Sequence, residues 1–204
     1  MTRYISDIAF TPAVKAEQEK RGSRKGYQKM AKGRDWQSAV TDELRAYLAE
    51  RDSFYLATVN SEGQPYIQHR GGLKGFVKVL DDHTLAIADF AGNRQYISIG
   101  NLAENDKVAL FFMDYPNRHR VKMWGTARFV EDDPELLKSL SDESYSGRVE
   151  RALVISLSAW DVNCSQHITP RLSGEDIEEV SQVLIERIVT LEKDNAELRA
   201  QLAK

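Results

Sequence analysis

Seven short stretches rich in β-branched and aromatic residues, separated by turn-forming residues, constrain the fold of this 204-residue chain more than any other feature. The predicted strands lie at 54–60, 65–70, 75–80, 84–89, 107–114, 121–130 and 151–159. We expect the first four to form an antiparallel meander, because turn residues separate them. Seven short strands with few helices predict a mainly β protein built as a closed or split β-barrel, which leaves little exposed sheet edge.

Segments with helical periodicity lie before the first strand and between later strands. Apolar residues recur at helical spacing between Trp36 and Leu48, so we expect an amphipathic helix over 35–50 that packs one face on the barrel. Two shorter helices are predicted, one within 92–104 and one that starts near Asp133-Pro134 and ends by Ser146-Gly147.

The C-terminal segment 174–204 has a different pattern. Its apolar residues follow the alternating four-and-three spacing of a heptad seam, at Ile177, Leu184, Ile188, Leu191, Leu198 and Leu202. Asn195 occupies the same class of seam position as Ile188, where a buried asparagine selects a parallel two-stranded pair. The segment therefore predicts a coiled coil and a dimer, although a helix folded back on its own barrel would show the same periodicity over so few heptads.

The N-terminal segment 1–34 contains a basic cluster broken by glycines. The basic residues are Lys20, Arg21, Arg24, Lys25, Lys29, Lys32 and Arg34. We interpret the segment as a solvated arm or short helix that lies across a partner subunit. A nucleic-acid-binding tail is the alternative, but no aromatic platform accompanies the cluster. The expected organisation is an arm (1–34), a barrel domain (35–173) and a C-terminal helix (174–204).

Charge and cysteine content restrict the partners and the compartment. The 28 basic and 31 acidic residues give a formal net charge of −3, so no global charge favours nucleic acid or an anionic membrane surface. Cys164 is the single cysteine, which excludes an intramolecular disulfide and fits a reducing compartment. With no apolar run of 18 residues, we expect a cytoplasmic protein that binds neither membrane nor nucleic acid.

Three clusters of polar and cationic residues at strand ends are the candidate binding residues. The first runs from Gln68 to Lys78, where three glycines allow a close backbone approach and Arg70 supplies charge. The second, Asp89 to Tyr96, leads into a predicted helix whose free N–H groups favour an anion. Both patterns suit a phosphate group.

The third cluster runs from Arg118 to Gly125, where strand alternation places Arg120, Lys122 and Trp124 on one face. Each cluster also has a purely structural interpretation. A glycine pair can form a bulge, an arginine can pair with a surface carboxylate, and alternating cations can coat an exposed sheet.

Four motifs occur in an order that resembles a known family. They are Gly63-Gln64-Pro65-Tyr66, Gly92-Asn93-Arg94-Gln95, Phe111-Phe112-Met113-Asp114-Tyr115 and Trp124-Gly125-Thr126-Ala127. Over roughly 35–170 the chain resembles the pyridoxamine-phosphate-oxidase-like FMN-binding proteins. The resemblance implies a split-barrel homodimer with FMN in each of two clefts between subunits.

The resemblance also assigns roles to residues of this chain. Lys78 corresponds to a strand lysine near the FMN phosphate, Arg94 with its neighbours to a phosphate clamp at a helix start, and Arg120 to a flavin contact. The full predicted cofactor-binding set is Gln68, His69, Arg70, Lys78, Asp89, Asn93, Arg94, Gln95, Arg120, Lys122, Trp160, Gln166 and His167.

Two departures argue against pyridoxamine phosphate as the substrate. The oxidases proper have an arginine five residues before the strand lysine, where this chain has Leu73. Their basic, histidine-containing C-terminal segment is not matched by 160–171 of this chain. Trp160, Asn163, Gln166 and His167 could instead line a flavin pocket, or Trp160 could be a core residue and His167 a loop residue.

The expected function is an FMN-dependent oxidoreductase that acts on an unidentified small molecule, with a nicotinamide as a candidate electron donor. A non-catalytic flavin carrier or sensor is the alternative from another class. A nucleic-acid-binding protein that uses 20–34 ranks last. The residues do not distinguish FMN from a deazaflavin or haem in the cleft, and Cys164 lacks a second thiol that could resolve an oxidised form.

Overall fold

The computed structural model describes residues 4–142, 144–162, 164–172 and 174–202. The described chain divides into two compact units. The first comprises 4–114 and 119–165 and contains the sheet, and the second comprises 115–118 and 166–202. Asn163, which the sequence placed near the flavin, lies outside the described residues.

The first unit is built on one seven-stranded antiparallel sheet with the order β2-β1-β5-β6-β7-β4-β3. The strands are β1 (Ser53–Val59), β2 (Pro65–Gly71), β3 (Lys78–Val79), β4 (Thr84–Phe90), β5 (Lys107–Asp114), β6 (His119–Val130) and β7 (Val149–Val162). All seven predicted strands are present, and the mainly β fold is confirmed. The sheet does not close, so of the two predicted forms the split barrel is correct.

The predicted meander of the first four strands is wrong. β1 pairs with β2 and β3 pairs with β4, but β2 and β3 lie at opposite edges of the sheet. The connecting segment bonds to the start of β1 instead of forming a hairpin, since Gly72 N donates to Asp52 O (2.9 Å) and Gly75 N donates to Arg51 O (3.0 Å). Gly75 has φ +74, and a Cβ there would lie 3.1 Å from Ala49 O.

The described residues contain six α-helices and a 3₁₀ turn at Ile5–Ile8. They are α1 (Pro12–Lys20), α2 (Arg24–Gly33), α3 (Asp42–Ala49), α4 (Ile97–Glu104), α5 (Pro134–Leu140) and α6 (Gly174–Leu202). Within the described residues, no helix combines the length and the apolar character needed to cross a membrane.

The helix predicted over 35–50 is shorter than expected. It begins at Asp42, because Thr41 caps it by accepting a hydrogen bond from Leu44 N (3.2 Å). The preceding residues are extended, since Gln37 and Trp160 exchange backbone hydrogen bonds of 3.2 and 2.8 Å. This contact with β7 keeps the residues around Trp36 extended, so the helix starts only after them. The helix predicted to start near Asp133-Pro134 and to end by Ser146-Gly147 is confirmed as α5, which ends at Leu140.

The N-terminal segment packs on its own chain through aromatic contacts. The Phe10 ring lies 5.2 Å from the ring centroids of both Tyr27 and Trp36. Most of the basic residues of α2 stay in solvent, and α2 buries none of its residues. The structure thus gives the basic segment a helical form.

The core lies on one face of the sheet because strand residues alternate between faces. β5 and β6 show this alternation over most of their length. Phe54, Leu56, Leu110 and Phe112 are fully buried, and α3 adds its own buried face to the same cluster. A smaller apolar cluster lies beneath α5. The opposite face of β1, β5 and β6 is left partly open.

Candidate functional site

A pocket of about 190 Å³ lies where β2, the end of β4, the start of α4 and the start of β7 converge. We call it the β2–α4 pocket. It is lined by Tyr66, Gln68, Arg70, Asp89, Phe90, Gly92, Asn93, Arg94, Gln95, Tyr96, Ile97, Ser98, Ile99, Glu150 and Arg151. β2 and β4 belong to opposite halves of the open sheet, so the pocket occupies the split in the barrel.

The pocket brings together six of the thirteen predicted cofactor-binding residues. They are Gln68, Arg70, Asp89, Asn93, Arg94 and Gln95. Strand periodicity explains the β2 members, because Gln68 and Arg70 are two residues apart and point the same way. His69 lies between them and packs instead edge-on against Tyr55, with ring centroids 5.6 Å apart. It does not line the pocket.

Asp89 lies between two arginines at the base of the pocket. Its Oδ1 pairs with Arg70 Nη1, and its Oδ2 lies 3.2 Å from Arg151 Nε. Arg151 also pairs with Glu150 at 2.6 Å and with Glu131 at 3.2 Å. Hydrogen bonds from Arg151 and Arg148 hold the pKa of the half-buried Glu150 carboxyl below its usual value.

The Arg70 guanidinium is only partly satisfied by this network. Its Nε is buried and has no hydrogen-bond partner among the described residues. A buried, unsatisfied donor on a cation is costly unless another acceptor reaches it. An anion in the pocket would be such an acceptor, which is the fit expected of a phosphate-bearing cofactor.

The loop from 91 to 96 shapes the other wall of the pocket. Arg94 and Tyr96 both have left-handed backbone conformations, with φ of 59° and 55°. Asn93 Oδ1 accepts a hydrogen bond from Gln95 N at 3.2 Å. Non-glycine residues in this conformation are uncommon and concentrate at functional sites, so the two strained residues mark this loop.

The loop leads into the first turn of α4, which has no side-chain cap at Tyr96. Uncapped N–H groups and the helix dipole give this end of α4 a partial positive charge. Ser98 Oγ donates to Gln68 Oε1 at 2.9 Å and ties the helix start to β2. The pocket therefore presents three guanidinium groups and a helix start against two carboxylates, which suits an anion.

A second depression, of about 200 Å³, lies on the open face of β1, β5 and β6, with one residue from β2. We call it the sheet-face groove. Its lining is Tyr55, Ala57, Ile67, Ala109, Leu110, Phe111, Lys122, Met123 and Trp124. Ile67 is 65% exposed, which is unusual for an apolar strand residue and indicates a surface that another group covers.

Lys122 is the cation of the sheet-face groove and is held in place by three neighbours. Its Nζ lies 3.3 Å from Asp161 Oδ2 and 5.4 and 5.5 Å from the ring centroids of Trp36 and Trp124. The two indoles stack at 4.8 Å with an interplanar angle of 11°. Burial raises the pKa of the Asp161 carboxyl, and the Lys122 ammonium acts against this rise.

Three further predicted residues of the first unit lie away from both depressions. Lys78 is exposed on β3, where its charge helps the Ser144 hydrogen bonds to lower the pKa of Asp142. Arg120 is half-buried on β6 opposite Met113. Trp160 is a core residue of β7 whose Nε1 donates to Ala39 O at 2.8 Å.

Gln166 and His167 belong to the second unit, where both are exposed and His167 has φ 62. Cys164 is exposed. In the described part of the chain, no three His, Cys, Asp or Glu side chains gather as a group able to hold a metal ion.

Sequence reasoning missed Tyr66, Ser98, Glu150 and Arg151 of the pocket. Tyr66 could have been found, because it precedes Gln68 by the strand period of two. Arg151 could also have been found, because it directly precedes the apolar run Ala152-Leu153-Val154-Ile155. A charged residue that is buried at the start of such a strand needs a charged partner. Only the fold shows that this partner is Asp89.

Solved structures from several bacteria are similar to parts of this chain. A tagged HupZ from Group A Streptococcus is 20% identical, with 65% of this chain and 99% of that chain covered and a TM-score of 0.50. An FMN-binding protein from Syntrophomonas wolfei is 14% identical, with 72% and 97% covered and a TM-score of 0.46. HutZ from Vibrio cholerae, described as a haem storage protein, is 17% identical, with 60% and 94% covered and a TM-score of 0.39.

No curated protein matches the chain. At 20% identity, the similarity to HupZ shows the fold and nothing finer. The family is shown by a sequence model described as pyridoxamine 5'-phosphate oxidase, which matches residues 40–163. This match covers more than half of the chain, including all seven strands. The chain belongs to the pyridoxamine 5'-phosphate oxidase family.

Proposed function

We propose that this chain binds FMN, with the FMN phosphate in the β2–α4 pocket, and that it is an FMN-dependent oxidoreductase acting on a small molecule. The observation that carries the proposal is the buried, unpartnered Arg70 Nε beside the uncapped start of α4. A phosphate dianion could accept from Arg70, from Arg94 and from backbone N–H groups at that helix start.

The pocket has one more arginine than carboxylates, which supports binding of an anionic ligand. Arg70 and Arg151 already share the Asp89 carboxylate, whereas Arg94 is exposed. A terminal phosphate reaching the pocket would bring its own negative charge to the least satisfied cations. A cationic ligand would add to the positive charge of the pocket, and a neutral sugar could accept a hydrogen bond from Arg70 but would bring no charge to the arginines.

We propose that the flavin ring lies in the sheet-face groove of one copy while its phosphate lies in the β2–α4 pocket of the other copy, because Ile67 of the groove points to the opposite face of β2 from Gln68 and Arg70 of the pocket. An isoalloxazine is planar and largely apolar, with polar atoms along one edge. The groove offers apolar strand residues to the ring and the Lys122 ammonium to its polar edge. We propose that a second copy of the chain covers this face in a homodimer, as the family resemblance implies. Trp36 and Asp161 would then hold Lys122 in place while the groove excludes water.

Bound FMN would supply hydride or electron transfer at its ring system. The residues of the chain would orient the cofactor through the phosphate, keep the ring dry and place a cation near it. An ammonium close to the ring, from Lys122, would stabilise the negative charge of the reduced flavin. Hydride transfer at a flavin requires no protein acid or base.

A non-catalytic flavin carrier or sensor is the second candidate function. The observation in its favour is the lining of the sheet-face groove, which contains no carboxylate and no imidazole among the described residues. Such a lining holds an apolar ring but offers few groups that would recognise a second, polar substrate.

The visible absorption spectrum of the purified full chain tests the proposal. Titration with FMN should produce a bound flavin spectrum, and riboflavin, which lacks the phosphate, should bind at least about tenfold more weakly because charge-assisted hydrogen bonds are lost. Equal affinity for both would refute the phosphate assignment. A Soret band with added haem and no flavin binding would refute the cofactor assignment.

Anaerobic addition of a nicotinamide donor to the FMN-loaded chain then separates the two functions. Bleaching of the flavin bands faster than that of free FMN is the result expected of an oxidoreductase. Flavin bands that persist after addition of NADH and, separately, of NADPH favour the carrier function.

A further inference from the structure

The long helix α6 has a continuous apolar stripe that is exposed to solvent. Every described side chain of α6 is exposed in the single chain. Ile177, Leu184, Leu191 and Leu198 recur at intervals of seven residues, and these side chains are 48–58% exposed. A stripe of large apolar residues on a 29-residue helix is stable in water only when another surface covers it.

We propose that the cover is α6 of a second copy, and that the two helices form a parallel, two-stranded coiled coil in register. With the four residues above at the d positions of the heptad, the a positions are Ser181, Ile188, Asn195 and Leu202. The seam therefore contains six apolar residues, a serine and an asparagine. This proposal does not depend on flavin binding.

The residues that flank the seam are complementary in this one alignment. In a parallel, in-register pair, each g residue faces the e residue five positions later on the other helix. Arg187 then faces Glu192 of the second copy, and Asp194 faces Arg199 of the second copy. Both charged contacts join opposite signs, and each occurs twice by symmetry.

The remaining flanking contact of this kind is apolar. Val180 faces Ile185 of the second copy, so the seam is wider towards the start of α6. Both side chains are exposed in the single chain, at 55% and 53%. Every g-to-e contact between 180 and 199 thus joins residues of matching character, with no pair of like charges.

Asn195 selects this alignment over the antiparallel one. In the single helix its Oδ1 accepts a hydrogen bond from Arg199 Nε at 2.7 Å. In the parallel, in-register pair it would face Asn195 of the second copy, and the two amides can bond to each other. An antiparallel or shifted pair would place the amide against an apolar seam residue and leave it unsatisfied.

Disulfide trapping in the full chain tests the direction and the register. The parent is the Cys164→Ser variant, which has no other thiol. Leu198→Cys places a thiol in the seam, and the matched control Ala200→Cys places one two residues away on the outer face of the helix. Under mild oxidation, Leu198→Cys should yield at least about tenfold more covalent dimer, since only seam thiols meet their symmetry mates. Equal cross-linking at both positions, or none at Leu198→Cys, overturns the proposal.

A charge swap tests the partner contact itself. In the Leu198→Cys background, Arg187→Glu would place a like charge opposite Glu192 of the second copy. The yield of covalent dimer should then fall about fivefold. Adding Glu192→Arg restores opposite charges and should restore the yield. Far-UV circular dichroism of each variant confirms that the chain is folded. A double variant that cross-links no better than Arg187→Glu would contradict the proposed register.

Discussion

The Arg70 guanidinium on β2 pairs with the Asp89 carboxylate on β4 across the split of the barrel. The two residues are 19 positions apart in the chain, and four strands separate β2 from β4 in the sheet. Both side chains are largely buried, with 17% and 9% exposed. This pair joins the two halves of an open sheet at the point where the β2–α4 pocket forms, so it contributes both to the fold and to the candidate phosphate site.

Substitution of each partner should separate these two contributions. Both Arg70→Gln and Asp89→Asn break the same ion pair, so each should destabilise the fold by about 1–3 kcal/mol. Their effects on FMN should be opposite. Arg70→Gln should weaken FMN binding about 10- to 100-fold, because it removes a charged donor. Asp89→Asn should strengthen it about three- to tenfold, because it removes a competing negative charge.

Urea unfolding and FMN titration measure the two effects. Arg128→Gln, on an exposed position of β6, is the control and should change neither quantity. If both pocket variants weaken FMN binding to the same extent, the pair acts only through the fold.

Arg94→Gly should make the protein more stable and its flavin binding weaker. Arg94 has φ 59, which a glycine adopts without strain, so the substitution should add about 1 kcal/mol to the free energy of unfolding. It also removes a cation from the pocket. Arg118→Gly is the matched control, since Arg118 has φ 50 and does not line the pocket. Arg118→Gly should add similar stability and leave FMN affinity unchanged, and a loss of affinity there would count against the assignment of Arg94.

Gly125→Ala should destabilise the barrel. β6 is irregular between Trp124 and Gly125, where it pairs with β7. A Cβ at Gly125 would collide with the backbone oxygen of Ser156, so the strands must shift. We expect a loss of about 1–3 kcal/mol in urea unfolding. Gly26→Ala is the control, because that helical position has nothing within 4 Å and should be neutral or stabilising by up to about 1 kcal/mol.

Asp161→Asn should change how stability depends on pH. Burial raises the pKa of Asp161 in the folded chain above its ordinary value of 3.8. The protonated form is therefore favoured by folding, and its contribution is fully present below pH 3.8 and is lost as the pH rises through the raised pKa. The asparagine variant lacks this dependence. Relative to the unsubstituted chain, it should become more stable as the pH rises through that window, as measured by urea unfolding. A stability difference that is constant with pH would contradict the shift.

Much of the fold follows from patterns that are local in the chain. Strand existence depends on β-branched and aromatic residues between turn signals, and all seven strands were found in this way. The heptad pattern of α6 is equally local, and it predicts a long helix over 174–204, which the structure shows from Gly174 to Leu202. Alternation along β2 is also a local property, and it puts Gln68 and Arg70 on a common face in the structure.

Strand order and the contents of the pocket required the tertiary structure, because they depend on contacts between distant segments. The chain from β2 to β3 reads as a hairpin connection, yet its N–H groups bond to Arg51 and Asp52 and direct β3 to the far edge. The same crossing brings Asp89 to Arg70 and Arg151. It also leaves Lys78 outside the pocket, although Lys78 shares a sequence cluster with Arg70, whereas His69 lies outside because it points to the other face of β2. Residue types and periodicity determined which side chains could bind an anion. The pairing of distant strands decided which of them meet, because strand pairing depends on long-range packing that no short stretch of sequence contains.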